Sequence, residues 1–581
     1  MLKPSLLGRL KAKGGLLCSA VVTAALVASP VTAYAAQGTT AQDATLVAAS
    51  IAAQEGATAW DKIVKIGGAG QSTNESTQNA LTYVSTANDV LTLADGSVVI
   101  AGGYDWKGLE GIPENHGGCD GLLLKYDSGH TQKWISQVGG TGDDYFSSVA
   151  QLADGSFVAV GFAKSLDGDM KDIAKHTKAA AYDGLIAKFD EASASDGALS
   201  PSKVAAFGGT GNDYFQDVVA TADGGFIAVG RTASTDGDLD GKRADSTSSA
   251  SAFIAKFDKD LNKEWSTVID ASSKSYDELY SVIEDEQGNY IACGYFAAPK
   301  GDLESSAKGG KDGAVVKFDK DGTILWTKVF GSSGNDELSG VSLDVNAGGG
   351  VQSAQGYVVT GYATSLDSDL ENAASEGYSA PAKGMPWVMR IDSEGNLVNS
   401  RVIEAEAVDA TASVVPYEDG YLVAGSYRNK SAVLGEADDA GDVYVARLRS
   451  DFSVMGAQAY RGEAKDVSKA LAIAPDGSAY IGGRYLSSEF QGLQLEAKKA
   501  NGYVMQMSPA DLAVAPDAQF TIPVAAIQHG KENASENRSM AGGCVYDLAY
   551  VKQYGDSYEV TIYLQGITVA GTTIEAQDIN P

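Results

Sequence analysis

Any chemistry in this chain has to come mainly from carboxylates. The densest set is Asp236-Gly237-Asp238-Leu239-Asp240-Gly241, where alternating acids with glycines between them can wrap oxygen ligands around Ca²⁺. Asp236, Asp238 and Asp240 are therefore the candidate metal ligands, and Ca²⁺ is the one candidate cofactor. A helix-loop-helix calcium loop wants Glu at its twelfth position, where Thr247 stands, so turn residues bonded to their own backbone are the competing reading. Similar acids recur at Asp167 and Asp169, and at Asp367 and Asp369. Glycine clusters such as Gly139-Gly140-Thr141-Gly142-Asp143-Asp144 could cradle phosphate, but no Lys-Ser/Thr follows and acids stand where phosphate needs positive charge.

Nucleophilic and metal-assisted catalysis find little support. The four histidines, His116, His130, His176 and His529, have no metal-ligand spacing, and no Gly-x-Ser-x-Gly elbow is present. An acidic chain offers many carboxylate pairs, and their separation, which decides glycoside hydrolysis, is not written in sequence. The chain is accordingly read as a binding protein, with a glycan-active enzyme kept as an alternative. Aromatic faces pack on sugar rings, and Trp106, Tyr378 and Trp387 fall in long connections where they are candidate ligand contacts. The Trp, Tyr and Phe that recur on strands read as core.

Charge and address narrow the partners. The chain has 581 residues and a net charge of −31, which repels phosphate backbones and anionic lipid, so nucleic acid is not expected. Lys3, Arg9, Lys11 and Lys13 precede an apolar run from Leu16 to Val27 and the small-residue pattern Ala33-Tyr34-Ala35, the layout of a secretory signal peptide over 1–35. About a dozen apolar residues cannot cross roughly 30 Å of hydrocarbon, and no later stretch approaches that length. Cys119, Cys293 and Cys544 remain after that segment, too few and too scattered for a disulfide framework.

A repeat decides the architecture that must position these groups. A turn, an apolar strand and a Gly recur as Asp95-Gly96…Gly102, Asp154-Gly155…Gly161 and Asp223-Gly224…Gly230, with weaker copies at Gly288, Gly356, Gly420 and Gly477. Each unit adds a strand ending in a triplet such as Lys188-Phe189-Asp190 or Lys317-Phe318-Asp319. A strand near Trp134, Trp265 or Trp326 follows, then a glycine loop. Four short strands repeated seven times predict a β-propeller. Trp60–Ile66 looks like the outer strand that elsewhere ends a repeat, and the last unit lacks one, so this segment is expected to close the seventh blade. Connections after the Gly-ending strands are long and those after the triplets short, so recognition is expected on the long-loop face.

These units resemble the repeats of bacterial secreted and cell-surface propellers: Gly-Gly-x-Gly-Asp-Asp, Asp-Gly-Gly-Tyr-x-Val-x-Gly, Asp-Gly-Asp, then Asn-His-Gly-Gly-x-Asp. Asn115-His116-Gly117-Gly118-Cys119-Asp120 and Asp167-Gly168-Asp169 fit that pattern. The resemblance covers about 58–510 and implies an exported propeller, not a reaction. His116, within it, joins the candidate ligand contacts. The Ser-x-Asp-x-Gly-x-Thr-Trp boxes of sialidase propellers are absent.

The segment from Gln519 resembles the first half of a NEAT domain, the haem-capture module of bacterial surface proteins. The resemblance implies a short helix over haem, with Ser539 as a propionate contact and Met540 as a lid residue. That family's haem-ligating Tyr-x-x-x-Tyr hairpin does not appear before Pro581. A haem-acquisition role is thus a second alternative, and a spacer or adhesive module a third.

The expectation is an all-β chain: a signal peptide (1–35), a linker (36–57), a seven-bladed β-propeller closed by an N-terminal strand (58–510), and a small β module (511–581). It is expected to be secreted or held at the cell surface and to bind an extracellular protein or glycan.

Overall fold

The computed structural model describes residues 63–66, 86–104, 116–177, 181–195, 197–242, 250–269, 276–297, 306–344, 356–429, 431, 433–434, 437, 440–487, 489–490, 493–494, 501–508 and the strands between 538 and 579. Side chains are not described at 63–66, 408–412, 489–494, 501 and beyond 508. The proposed signal peptide, the linker and Trp106 lie outside the described residues. The chain divides into two compact units, one comprising 59–512 and the other 1–58 with 513–581.

The larger unit is a seven-bladed β-propeller of four-stranded antiparallel sheets. Blades one to six span 86–138, 144–207, 213–269, 278–330, 337–402 and 406–460, and blade seven combines 467–507 with 63–66. In each, the first strand is innermost. The first strands of neighbouring blades touch one another all the way round, with Val467–Ile473 of blade seven against Thr86–Thr92 of blade one. Strand Ile63–Ile66 pairs with Asn501–Met507 in the register Ile63↔Met505 to Ile66↔Gly502, so the N-terminal strand supplies the outer edge of the last blade.

Local sequence explains the blade. Val98–Tyr104 is buried at every position, and Asp120–Tyr126 is buried up to its last residue. Central strands covered on both faces by neighbouring sheets read as continuous apolar runs. The outer strand Gln132–Val138 begins exposed. In the Asp-Gly turns the acid accepts a backbone N–H two residues on, as Asp95 does from Ser97 at 2.8 Å, while Gly96 takes φ +80°. The triplet acids close the outer hairpins in the same manner: Asp319 accepts from the N–H groups of Asp321 (3.0 Å) and Thr323 (2.8 Å).

A bulge in the first strand, such as that between Phe215 and Asp217, bends it around the axis. That bulge presses the strand onto Gly230, where a Cβ would lie 1.9 Å from the Tyr214 carbonyl oxygen. The recurring strand-end glycine answers this close approach. Seven hydrophobic clusters of buried residues follow, one at each blade interface, closing with Ala87, Ile100 and Leu122 of blade one against Ala470, Tyr480 and Val504 of blade seven.

The C-terminal module is a second sheet in the order Arg538–Ala541, Cys544–Tyr554, Ser557–Leu564, Asp578–Ile579, with a separate hairpin of Ile567–Val569 and Thr572–Ile574. One expectation is corrected here. Ser539 and Met540 lie on a strand, opposite Tyr546 and Val545, and not on a helix. The pair Ala541↔Cys544 leaves only Gly542 and Gly543 between strands, the composition of a two-residue hairpin connection.

Candidate functional site

The glycine loops and the Asp-x-Asp segments form one recurring clamp. Entering blade two, the Thr141 N–H and hydroxyl donate to Asp167 (2.8 and 3.0 Å), and the Gly139 N–H donates to Asp169 (3.0 Å). Asp144 accepts from the Gly140 N–H (2.9 Å) and from the Ser165 N–H (3.1 Å). Blade three repeats this with Thr210 N–H on Asp236 (2.8 Å) and Gly208 N–H on Asp238 (3.1 Å), and blade five with Ser333 N–H on Asp367 (2.7 Å) and Gly331 N–H on Asp369 (3.0 Å). The apolar residue after each pair, Met170, Leu239 or Leu370, is wholly buried, pinning the long connection to the blade.

Two of the candidate metal ligands take part in this clamp. Asp236 and Asp238 serve different backbone donors of the glycine loop, and Asp238 also pairs with Lys175 (3.7 Å) and Lys263 (3.8 Å). Asp240 is exposed at the end of the short turn. Among the described residues no group of three or more His, Cys, Asp or Glu side chains is placed to hold a metal. The physical reason is that N–H groups in a tight glycine loop need acceptors, and these carboxylates provide them.

The clamps hold up an arc of aromatic and charged side chains. It is built at one register position, where the first and second strands pair directly: Tyr145↔Phe162 in blade two, Tyr214↔Arg231 in blade three, Glu278↔Tyr295 in blade four and Glu337↔Tyr362 in blade five. Adjacent members touch. Phe162 lies 5.1 Å from Tyr145, 5.6 Å from Tyr182 and 5.1 Å from Tyr214, centroid to centroid. The Arg231 guanidinium sits 4.5 Å over Tyr214 and 5.8 Å from Tyr276, and Lys311 sits 4.1 Å over Tyr295.

Acids underlie the cations. Glu278 receives Arg231 at 3.4 Å and the Gln216 amide at 2.5 Å, and Glu337 receives Lys311 at 2.7 Å. Burial pushes the Glu278 carboxyl up, with Arg231 pulling the other way. For Arg231 burial opposes the charge, and Glu278 with Tyr214 more than offsets it, so its pKa rises. Burial raises the Tyr214 hydroxyl to about 12. Tyr145 and Tyr295 are buried, Phe162, Tyr182, Tyr214, Tyr362, Arg231 and Lys311 are half-buried, and Tyr276 is 51% exposed.

The sequence-predicted contacts fare unevenly. Trp387 is 1% exposed, on strand Met385–Asp392, donating to the Ser400 hydroxyl at 2.9 Å; it is core, because the long connection ends before it. Tyr378 is half-buried against the interface of blades four and five with Leu366 and Ala380, since its connection folds back onto the blade. His116 stands at the glycine-loop face, with its Nδ1 3.2 Å from Asp120 and its N–H donating to the same oxygen at 2.8 Å. None of the three belongs to the arc. The arc residues themselves follow the strand-end Gly (Phe162, Arg231, Tyr295, Tyr362) or the Asp of the glycine loop (Tyr145, Tyr214, Glu278, Glu337). One varying position between repeated neighbours was the signal that could have found them.

No family model matches this chain, and no curated protein matches it. Its fold is similar to solved propeller structures. These include a catalytically inactive virginiamycin B lyase from Staphylococcus aureus with quinupristin (8% identity, 77% of this chain and 99% of that one, TM-score 0.35). Others are the Neurospora crassa Pan2 WD40 domain (9%, 76% and 95%, 0.35) and the Trypanosoma rangeli sialidase in complex with sialic acid (8%, 87% and 70%, 0.33). At such identities no activity passes from them to this chain.

Proposed function

We propose that this chain is an exported propeller, secreted or held at the cell surface, that recognises an extracellular protein or glycan through its glycine-loop face and acts by binding. The observation that carries this reading is the continuous arc from Tyr145 to Tyr362 on rigid strand ends, which presents the partly exposed rings of Phe162, Tyr214 and Tyr362 and the cations Arg231 and Lys311. Rigid elements hold contact groups in place at small entropic cost, which favours affinity. Binding rather than catalysis is supported by the engagement of Glu278 and Glu337 with Arg231, Gln216 and Lys311, which leaves each acid tied to a partner. Export is supported by the basic, apolar and small-residue segments of 1–35.

The test is an array of extracellular proteins and glycans probed with the chain lacking 1–35, alongside its Tyr214→Ala variant. Retained ligands that the variant releases would support the reading. An array with no retained ligand, or retention indifferent to Tyr214, would remove it.

A further inference from the structure

Both cations of the arc, and Lys164 beside it, are already balanced. Arg231 lies 3.4 Å from Glu278, Lys311 lies 2.7 Å from Glu337, and Lys164 lies 3.4 Å from Asp143. Each also sits over a tyrosine, at 4.5 Å for Tyr214, 4.1 Å for Tyr295 and 5.7 Å for Tyr182. The arc is thus locally neutral on a chain of net charge −31.

That balance discriminates between ligand classes. A uronate, sulfate or sialate approaches against the field of the whole chain and finds cations that have partners. A basic peptide finds acids buried to 3% and 6% exposure beneath tyrosines. A neutral sugar has neither difficulty. It needs an aromatic face for its C–H surface and a donor fork for two adjacent hydroxyls. Five large apolar side chains are exposed among the described residues, and of these only Leu166 and Tyr276 belong to this face. Tyr276 alone offers a ring, next to Arg231, whose contact with Glu278 is long and made through one Nη.

Resting on the binding role proposed above, we infer that the ligand is a neutral oligosaccharide, with one sugar ring on Tyr276 and two neighbouring hydroxyls accepting hydrogen bonds from Arg231. Lysine keeps the charge of arginine but not its planar fork, so Arg231→Lys separates hydrogen-bond geometry from electrostatics.

The experiment uses the chain lacking 1–35 against neutral gluco-, xylo-, manno- and N-acetylglucosamine oligosaccharides and against oligogalacturonate, sialylated and sulfated ones, by array and then by calorimetry. The expected result is binding to a neutral member, unchanged between about 50 and 500 mM NaCl because no ion pair forms on binding. It should weaken about tenfold or more in Tyr276→Ala and in Arg231→Lys, the loss of one stacking face or one bidentate contact, with the thermal midpoint of Tyr276→Ala unaltered. Tightest binding to an acidic glycan or a protein, or neutral binding that both substitutions leave intact, would overturn this inference while the general binding role stands. Binding to none of the glycans, nor to any protein of the earlier array, would overturn both.

Discussion

Trp265, on the outer strand of blade three, donates its indole N–H to the backbone carbonyl of Lys320 in the outer hairpin of blade four, at 3.0 Å. The same latch joins Trp326 to Ser393 at 3.2 Å, and Trp134 to the Glu191 carboxylate at 3.0 Å. The recurring Trp thus does two things: its ring covers the neighbouring hairpin, and its one donor ties that hairpin to the blade before it. Trp265→Phe keeps most of the ring and removes the donor. Denaturant unfolding should show a loss of about 1 kcal/mol, the net value of such a bond. Equal stabilities would show that the bond contributes nothing beyond what water supplies.

The strand-end glycines should be intolerant of a side chain. At Gly230 a Cβ would fall 1.9 Å from a backbone oxygen, which cannot yield without moving the inner strand. Gly230→Ala is expected to cost about 3 kcal/mol or more. Gly155 has φ +85° but nothing within 4 Å of the added carbon, so Gly155→Ala should cost only about 1 kcal/mol of backbone strain. Comparable losses at the two sites would count against the steric account.

Stability should fall as pH rises through the weakly acidic range. Burial pushes Asp120, Asp336 and Asp466 each up to about 6, and a facing acid, Asp144, Asp312 or Asp442, adds to it. A carboxyl raised in the folded state binds its proton more tightly there, so its contribution is fully present below the unfolded value near 4 and is lost as pH passes about 6. The turn acids act oppositely. Asp223, lowered to about 2 by Lys256 and by hydrogen bonds that outweigh its desolvation, gives stability that is lost as pH falls from about 4 toward 2. Maximum stability is therefore expected near pH 4, where the two windows meet, and Asp466→Asn should flatten the decline between about pH 4 and 6. Unfolding midpoints across pH 4–8 measure this; midpoints rising steadily up to pH 7 would contradict it.

Removing the clasp should open an edge. Without Ile63–Ile66, strand Asn501–Met507 loses its outer partner and presents unpaired backbone groups. A chain starting at residue 67 should melt at lower temperature than one starting at residue 36, and should aggregate with increasing concentration in light scattering. Identical melting and scattering would show that the ring closes without this strand.

The repeat was legible because each of its residues answers a local demand. Gly96 meets a positive φ, Asp319 closes a hairpin, and Gly230 admits a neighbouring carbonyl, so their types recur in most blades. The site was less legible. Asp236 and Asp238 read as candidate ligands because acids near glycines suit both cations and backbone N–H groups, and only the meeting of two loops distant in sequence shows the backbone donors they serve. Trp387 looked exposed because its connection is long, but the strand begins two residues before it, and burial then follows from the blade on either side.

What the amino-acid order determined on its own was the number of blades, the alternation of strands and turns, and the segment that closes the ring, since these depend on contacts within a unit or on a missing partner. The assembly of the arc was decided by tertiary structure. Tyr145, Tyr214, Glu278 and Glu337 are separated by about sixty residues each and become neighbours only because the propeller places one register position of successive blades around a common axis.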